Sequence, residues 1–531
     1  MGSVRRHVEG HRLTGPGSPP RRSIQIGLDH EATLDERDRR RGAHYTPYPT
    51  ARAVVDLALG RHDGRTPRIV DPCCGGGVFL IAALDALVAG GVSAAAALGC
   101  VAGYDIEPGA VAASRAALAE WAVEHAVGEY AERAAVSVAD VLAPGWSPSF
   151  RPDVVVGNPP FAGRLLTETA AVVEGPSDGR GEGFGPYTDA AALVWATASG
   201  WVADGGVVAL ILPRSVLGSR DGRPAREAVL RDAGLCDLWV PPRVFAGVEV
   251  AVPVTRNGGS GPARVLSGSP PIPVGVLQEG RLDAGSWSAG LALAAGVPEV
   301  GSGGPPLGAL VEATAGFRDL FYAVTANVRE GDPSPGVMRV ASTAMVDPGI
   351  LRWGERSARI GGRRWERPVV EAAALTGTPA VAAWIERLRR PKLLVASQTR
   401  VIEAAVDIEG DTVALTPLVA VFPKSGDPDA LWLALAALCA PPATAWATSR
   451  AAGTGRAAAT LRLSADLVRN VPTPPDRVRW EAAARALAAG AGPNEVAAGL
   501  SAAWECDDSV TSWWRRQLPG AGGMRGGGTG R

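Results

Sequence analysis

Residues 69–84 read IVDPCCGGGVFLIAAL. An apolar run, a tight turn and the start of an apolar helix follow one another within sixteen residues. Three consecutive glycines at 75–77 let the backbone pass close to a ligand where a Cβ would clash. The helix that follows presents free N–H groups and the positive end of its dipole, a setting that suits a carboxylate or a phosphate. In open α/β sheets ligands bind at the carboxyl ends of the strands, which is where this turn stands. It lacks the Lys-Ser/Thr ending of a P-loop, and the GxGxxG dinucleotide pattern is absent.

Outward from this turn, residues 41–255 alternate short β-branched runs with helical stretches. Strands are expected at 68–71, 100–105, 135–138, 153–156 and 206–212, and helices at 50–59, 78–88, 109–126 and 188–201. Alternation of this kind implies an α/β fold, a largely parallel sheet with helices on both faces. Runs at 235–240 and 248–254 fit a closing strand pair. Residues 1–40 mix Gly, Pro, Ser and charge without hydrophobic periodicity and read as a disordered lead-in. Residues 174–186 (EGPSDGRGEGFGP) read as a mobile loop, 256–272 as a linker, 273–515 as a second, mixed α+β region, and 516–531 as a Gly-rich tail. Within 273–515, strands are expected at 393–396 and 413–421 and a helix at 431–440.

The strand tips carry acidic residues. In GYDIEPGAVAASR (103–115), Asp105 stands at the end of the second strand, placed to accept hydrogen bonds from ribose hydroxyls, with Glu107 behind it. An Asp that caps the following helix is the plainer alternative. Asp140, followed by Val141, comes after the third strand and can accept from an adenine amino group. Glycine-rich and acidic tips on successive strands point to a small nucleoside ligand.

The fourth strand ends in VVVGNPPFAG (154–163). Pro159 and Pro160 fix the backbone and remove two amide donors, leaving a rigid turn that presents carbonyl oxygens and the Asn158 amide. That array can accept hydrogen bonds from an exocyclic NH2 group, and the Phe161 ring offers a face to a planar base. A structural Pro-Pro strand terminator is the alternative reading.

With these motifs in this order, the chain resembles the amino-methyltransferases of the NPPY/NPPF type, and among them the gamma-class N6-adenine DNA methyltransferases of restriction-modification or phage-defence systems. The resemblance covers residues 41–255. It implies a Rossmann-like methyltransferase sheet, S-adenosyl-L-methionine as cofactor, and Asn158, Pro159, Pro160 and Phe161 as the clasp on the target amine. RGAHYTP (41–47) is similar to the family's entry motif and implies that Tyr45 and Thr46 lie near the amino-acid part of the cofactor. Asp71, Pro72, Gly75 and Gly77 match the cofactor loop, Asp105 the ribose contact, Ile106 an apolar contact to the cofactor adenine, and Asp140 with Val141 the adenine-amine contact. Gly205-Gly206 and Leu212-Pro213 resemble a later strand of the family. Cys73-Cys74 and His44 depart from its usual pattern.

Duplex DNA is the implied partner, because some 250 further residues follow the matched core. Residues 351–400 hold eleven Arg or Lys against four Asp or Glu, an excess of +7 in a chain of net charge −1. Arg352, Arg356, Arg359, Arg363, Arg364 and Arg367 are the candidate phosphate or base contacts, with a solvated arginine-rich face as the alternative. Trp353, Trp365 and Trp384 are expected to pack rather than stack on bases. The resemblance implies site-specific transfer to the N6 amine of a flipped-out adenine. An RNA-modifying enzyme with the same core, or a non-catalytic DNA-binding subunit of a defence system, is the alternative. A restriction or defence partner is compatible with the resemblance, and the sequence leaves monomer or dimer open. The six cysteines, at 73, 74, 100, 236, 439 and 506, fit neither a zinc ribbon nor a disulfide framework, and no metal-ligand cluster is expected. No run of about 18 apolar residues suggests a membrane span. The first residues lack the apolar core of a secretory signal, so the expected compartment is the cytoplasm.

Overall fold

The computed structural model describes residues 21–33, 46–161, 184, 188–245, 247–278, 285–375, 378–455 and 460–518. They fall into two compact units: Met1–Leu212 with Ala228–Cys236 and Val252–Ser260, and Pro213–Glu227 with Asp237–Ala251 and Gly261–Arg531.

The first unit is built on a mixed sheet. Its strands are β1 (Ile69–Asp71), β2 (Val101–Asp105), β3 (Ala135–Val138), β4 (Val154–Gly157) and β5 (Val207–Leu210), with parts of β6 (Ala233–Val240) and β7 (Val250–Asn257). The order runs β3-β2-β1-β4-β5 and then β7. The first five are parallel, with Ile69 opposite both Val101 and Val154, Ala102 opposite Ala135, and Val154 opposite Val207. β7 is antiparallel to β5. Val154, Val155 and Val156 are all fully buried, as expected of a parallel strand covered on both faces. The chain builds β1, β2 and β3 outward and then returns to place β4 on the other flank of β1. That reversal makes a topological switch point and brings the carboxyl ends of β1 and β4 side by side.

The longer helices described in this unit are α1 (Arg22–Thr33), α2 (Tyr48–Leu59), α3 (Val78–Ala89), α4 (Pro108–Glu124) and α5 (Ala190–Ser199). Each expected strand and helix between 50 and 212 falls within a few residues of its observed bounds. α3 is apolar on nearly every side, and its one charged residue is Asp85. A buried carboxylate needs partners, and Asp85 accepts from the Arg21 guanidinium, the Tyr48 hydroxyl at 2.5 Å and the Trp121 indole N–H at 2.8 Å. Burial pushes its pKa up, but the donors outweigh burial and hold the carboxyl below its usual range.

The expected lead-in is corrected at Arg22–Thr33, which is helical. The buried residues of α1 are Ser23 and Gly27, small groups that leave no apolar stripe to read. Its attachment is polar: the Ser23 amide and hydroxyl donate to Glu124, at 3.0 and 2.8 Å. The expected linker is also corrected. β7 continues to Asn257, and β8 (Ala263–Ser267) pairs antiparallel with β9 (Ile272–Leu277). The glycines that suggested a linker, Gly258, Gly261 and Gly268, all have positive φ and turn the chain between strands.

The second unit adds further sheets. One orders β10 (Val311–Ala315), β19 (Leu418–Pro423), β15 (Lys392–Ala396) and β17 (Ala404–Asp407). Another orders Arg329–Glu330, β14 (Pro368–Glu371), β11 (Val337–Ala341) and β18 (Thr412–Ala414). The single strand expected at 413–421 is thus two, broken before Pro417, which has no N–H to give to a ladder. β12 (Ala358–Ile360) and β13 (Arg363–Trp365) form a hairpin, and β16 (Gln398–Thr399) pairs with β20 (Leu461–Arg462). The helices used below are α6 (Pro379–Leu388), α7 (Asp429–Cys439), α8 (Pro441–Ala451) and α9 (Asp508–Gln517), the last of which runs past the expected start of the tail. No single helix among the described residues is long and apolar enough to cross a membrane; α7 and α8 are apolar, but they are buried in the core of this unit.

Within the first of these sheets, Lys392 on β15 and Asp407 on β17 form a buried ion pair, with side chains 0% and 3% exposed. Lys392 also donates to Leu388 O at 2.5 Å, and Asp407 accepts from the Thr412 amide at 3.1 Å. Burial pushes Lys392 down and Asp407 up despite their attraction. A buried pair of this kind costs most when one member is removed. Lys392→Met should lower unfolding stability by about 3–5 kcal/mol. Lys392→Met with Asp407→Leu should recover most of that loss in the same denaturant titration.

Candidate active site

The site gathers at the carboxyl ends of β1, β2 and β4. After β1 the chain turns through Gly75 and Gly77, at φ +50° and +87°, conformations that favour glycine. The turn is held from within. The Cys74 amide donates to Tyr104 O at 2.8 Å, the Gly75 amide to Asp105 Oδ2 at 2.9 Å and the Gly77 amide to Cys74 O at 2.8 Å. Several N–H groups expected to face a phosphate are therefore already engaged. Ser114 on α4, which sequence reasoning passed over, donates from Oγ to Gly75 O at 2.7 Å. α1 reaches the same turn: a Cβ on Gly76 would lie 2.7 Å from the Gly27 Cα.

Asp71 is fully buried at the end of β1. Its Oδ1 accepts from the Cys73 amide at 3.0 Å, while Oδ2 is buried with no hydrogen-bond partner. Burial pushes its pKa up to about 8. Across the β1–β4 junction a Cβ on Gly157 would lie 2.6 Å from Asp71 Oδ1, so the residue before Asn158 must be glycine. Two stretches some 85 residues apart in sequence are thereby packed into one corner.

Asn158, Pro159, Pro160 and Phe161 follow, with Pro159 buried and the others half-buried. Asn158 Nδ2 donates to the Thr46 hydroxyl at 3.1 Å, which joins the entry motif to the tetrapeptide. Asp105 also accepts from the Glu107 amide at 3.0 Å, and Asp140 from the Leu142 amide at 2.9 Å. Burial raises the Cys73 thiol well above its usual value, and the charges of Asp71, Asp105 and Asp140 raise it further. These three carboxyl groups thus lie around one turn, with Asp71 protonated up to about pH 8. The charges of Asp105 and Asp140 suit a cationic ligand and disfavour a pyrophosphate. Ile106 is 61% exposed beside Asp105, an apolar side chain open to a planar group, and Val141 is buried behind Asp140. Pro72 is buried, and Cys73 and Cys74 stay protonated thiols.

The structure thus brings together Thr46, Asp71, Pro72, Gly75, Gly77, Asp105 and the tetrapeptide. Tyr45 and, apart from Phe184, the 174–186 loop lie outside the described residues. Gly27, Ser114 and Gly157 escaped the sequence reading; the glycine that ends β4 was the one legible signal among them.

The arginines expected to meet DNA belong to the second unit. Arg352 pairs with Asp347 and Glu355 at 3.3 and 2.8 Å, Arg356 with Asp347 at 2.6 Å, Arg364 with Glu366 at 3.3 Å, and Arg367 with Asp332. Arg359 donates to Gly362 O at 3.2 Å, and Arg363 is exposed at the start of β13. Trp353, Trp365 and Trp384 pack against the core of this unit, as expected.

Residues 31–255 match the family model described as N-6 DNA Methylase. Among solved structures, the Type IIL restriction-modification enzyme MmeI, determined in complex with DNA, is similar over 94% of this chain and 79% of its own, at 12% identity and a TM-score of 0.56. A modification subunit of a putative type I restriction enzyme from Vibrio vulnificus YJ016 is 20% identical over 46% of this chain and 50% of its own, with a TM-score of 0.36. The type IIG restriction endonuclease BpuSI is 14% identical over 94% and 68%, with a TM-score of 0.43. At such identities the likeness to MmeI is one of fold. The chain spans half the length of the Vibrio subunit. No curated protein sequence matches the chain.

Asp71 gives the protein a specific pH dependence. Folded, it keeps its proton to about pH 8, against 3.8 for a free carboxyl. As pH rises through that window the unfolded chain releases a proton that the folded chain retains, so stability falls. Unfolding midpoints measured across the window should decline, and Asp71→Asn should flatten the part due to this residue.

Proposed function

We propose that the protein, whose residues 31–255 match the N-6 DNA Methylase family model, transfers a methyl group from S-adenosyl-L-methionine to the N6 amine of adenine in duplex DNA. The observation that carries the reading is the junction of β1 and β4, where the cofactor turn and Asn158-Pro159-Pro160-Phe161 share one corner through the Asp71–Gly157 contact. The residues fit the cofactor. The buried Asp71 Oδ2 has no hydrogen-bond partner and can meet a polar group of the cofactor, the charges of Asp105 and Asp140 favour a positive ligand, and Ile106 offers an apolar face. Asp71, Gly75 and Gly77 would hold its amino-acid part, Asp105 its ribose, and Ile106, Asp140 and Val141 its adenine. When bound it supplies an electrophilic methyl on a sulfonium.

The rest is positioning. A base in a duplex cannot reach this corner from within the stack, so the target adenine must rotate out, at a cost on the order of a few kcal/mol. Phe161 offers its ring to the extruded base. The Asn158 amide oxygen and the Pro159 carbonyl accept the two amine hydrogens, which aims the nitrogen lone pair at the methyl. Thr46 holds Asn158 in that orientation. Alignment and electrostatics of this kind supply most of the acceleration, with little acid–base chemistry asked of the protein. A partner subunit with a restriction or defence role is compatible with this activity.

The reading is tested with tritiated cofactor, mixed-sequence duplex DNA and, in parallel, RNA. Label should pass to DNA. Asn158→Ala should lower the turnover by about 100-fold or more, as loss of a key transition-state hydrogen bond does elsewhere, while cofactor affinity stays within a few-fold. Label on RNA alone, or cofactor binding without transfer to either substrate, contradicts the proposal.

A further inference from the structure

In the second unit, two openings flank the β16–β20 ribbon, in which Gln398 opposes Arg462 and Thr399 opposes Leu461. On one side is a cavity of about 280 Å3 lined in part by Arg400, Thr448, Thr460 and Trp513. On the other is an open groove of about 910 Å3 lined in part by Arg220, Arg450, Arg462, Ser464 and Asn470. The end of α8 contributes to both, through Ala451 on the groove side and Ala452, the residue after it, on the cavity side.

What separates this surface from the basic hairpin region is the state of its arginines. Arg220, Arg400 and Arg462 are exposed, and none makes an ion pair or a side-chain hydrogen bond among the described residues. Arg450 lies over the Trp446 ring at 3.9 Å, with further bonds to Trp446 O and Ser449 Oγ at 3.3 and 3.1 Å, so its guanidinium is held in place. Two carboxylates also line the groove; Asp466 is paired with Arg469 at 3.0 Å, and Asp221 is exposed beside Arg220. Around Arg352–Arg367, by contrast, four guanidiniums already hold carboxylates. A phosphate arriving there meets a carboxylate already beside each guanidinium, which repels it and lowers the net positive charge it can neutralise.

We infer that the sugar-phosphate backbone of the DNA runs along the β16–β20 ribbon, with Arg220, Arg400 and Arg462 as phosphate contacts and Ser464 and Asn470 as neutral donors. The inference rests on the reading of duplex DNA as the substrate. Arg462 lies on the ribbon, Arg400 directly follows it, and Arg220 lines the same open groove as Arg462, a spread of cations that fits a polyanion with a repeated charge. Each phosphate neutralised releases condensed counterions and steepens the salt dependence of binding.

The test is the slope of log Kd against log salt concentration for a fluorescent duplex and the full chain. Arg220→Ala with Arg462→Ala should flatten the slope by about 1.8, about 0.9 for each lost contact, and Arg400→Gln alone by about half of that. Arg364→Ala, whose side chain is tied to Glu366, should change it little. Thermal melts show that each variant is folded. A double variant that keeps the wild-type slope, or an Arg364→Ala that flattens it equally, overturns the ribbon assignment and leaves the DNA reading intact. A wild-type chain that fails to bind duplex at about 50 mM salt, or binds only RNA, overturns both.

Discussion

The contact between the Asp71 carboxylate and Gly157 is the constraint on which the candidate site depends. Parallel pairing of β1 with β4 sets the two strand ends side by side, and the absence of a side chain at Gly157 lets Asp71 occupy the gap. The turn after β1 then begins where Asn158-Pro159-Pro160-Phe161 begins. The remaining pieces act on this corner. Thr46 orients Asn158, Ser114 holds the glycine turn from α4, and Gly27 of α1 closes over Gly76. Asp85, at the heart of α3, ties that outer layer down through Arg21, Tyr48 and Trp121.

Burial of Asp71 has a cost that is informative about what the corner is for. A carboxyl pushed up to about 8 with one oxygen unpartnered weakens the fold at neutral pH. Strain of that kind persists where a ligand relieves it. A donor bearing positive charge would do so, and the neighbouring Asp105 and Asp140 reinforce the preference.

Much of the first unit was legible because its central strands are buried on both faces. Val154–Gly157 and Val207–Leu210 show as continuous β-branched and aliphatic runs, and glycines or acids punctuate their ends. α1 was not legible, because it docks through Ser23, Gly27 and Arg21 rather than an apolar stripe. Nor were β8 and β9, whose turn glycines imitate a linker. In the second unit the local charge excess was visible, but its neutralisation was not. Asp332 answers Arg367 across 35 residues, and Asp347 answers two arginines at once. A count along the chain sees none of these pairings, and the unpaired arginines at 220, 400 and 462 meet only through the fold.

The most direct measurement is the identity of the product nucleoside. Duplex DNA methylated by the purified chain would be digested to nucleosides and resolved by mass spectrometry against standards. Methylation on N6 of deoxyadenosine, with the other deoxynucleosides unchanged, is what the account predicts. Methyl groups on N4 or C5 of cytosine, or DNA returned unmodified from a chain that binds the cofactor, would contradict it.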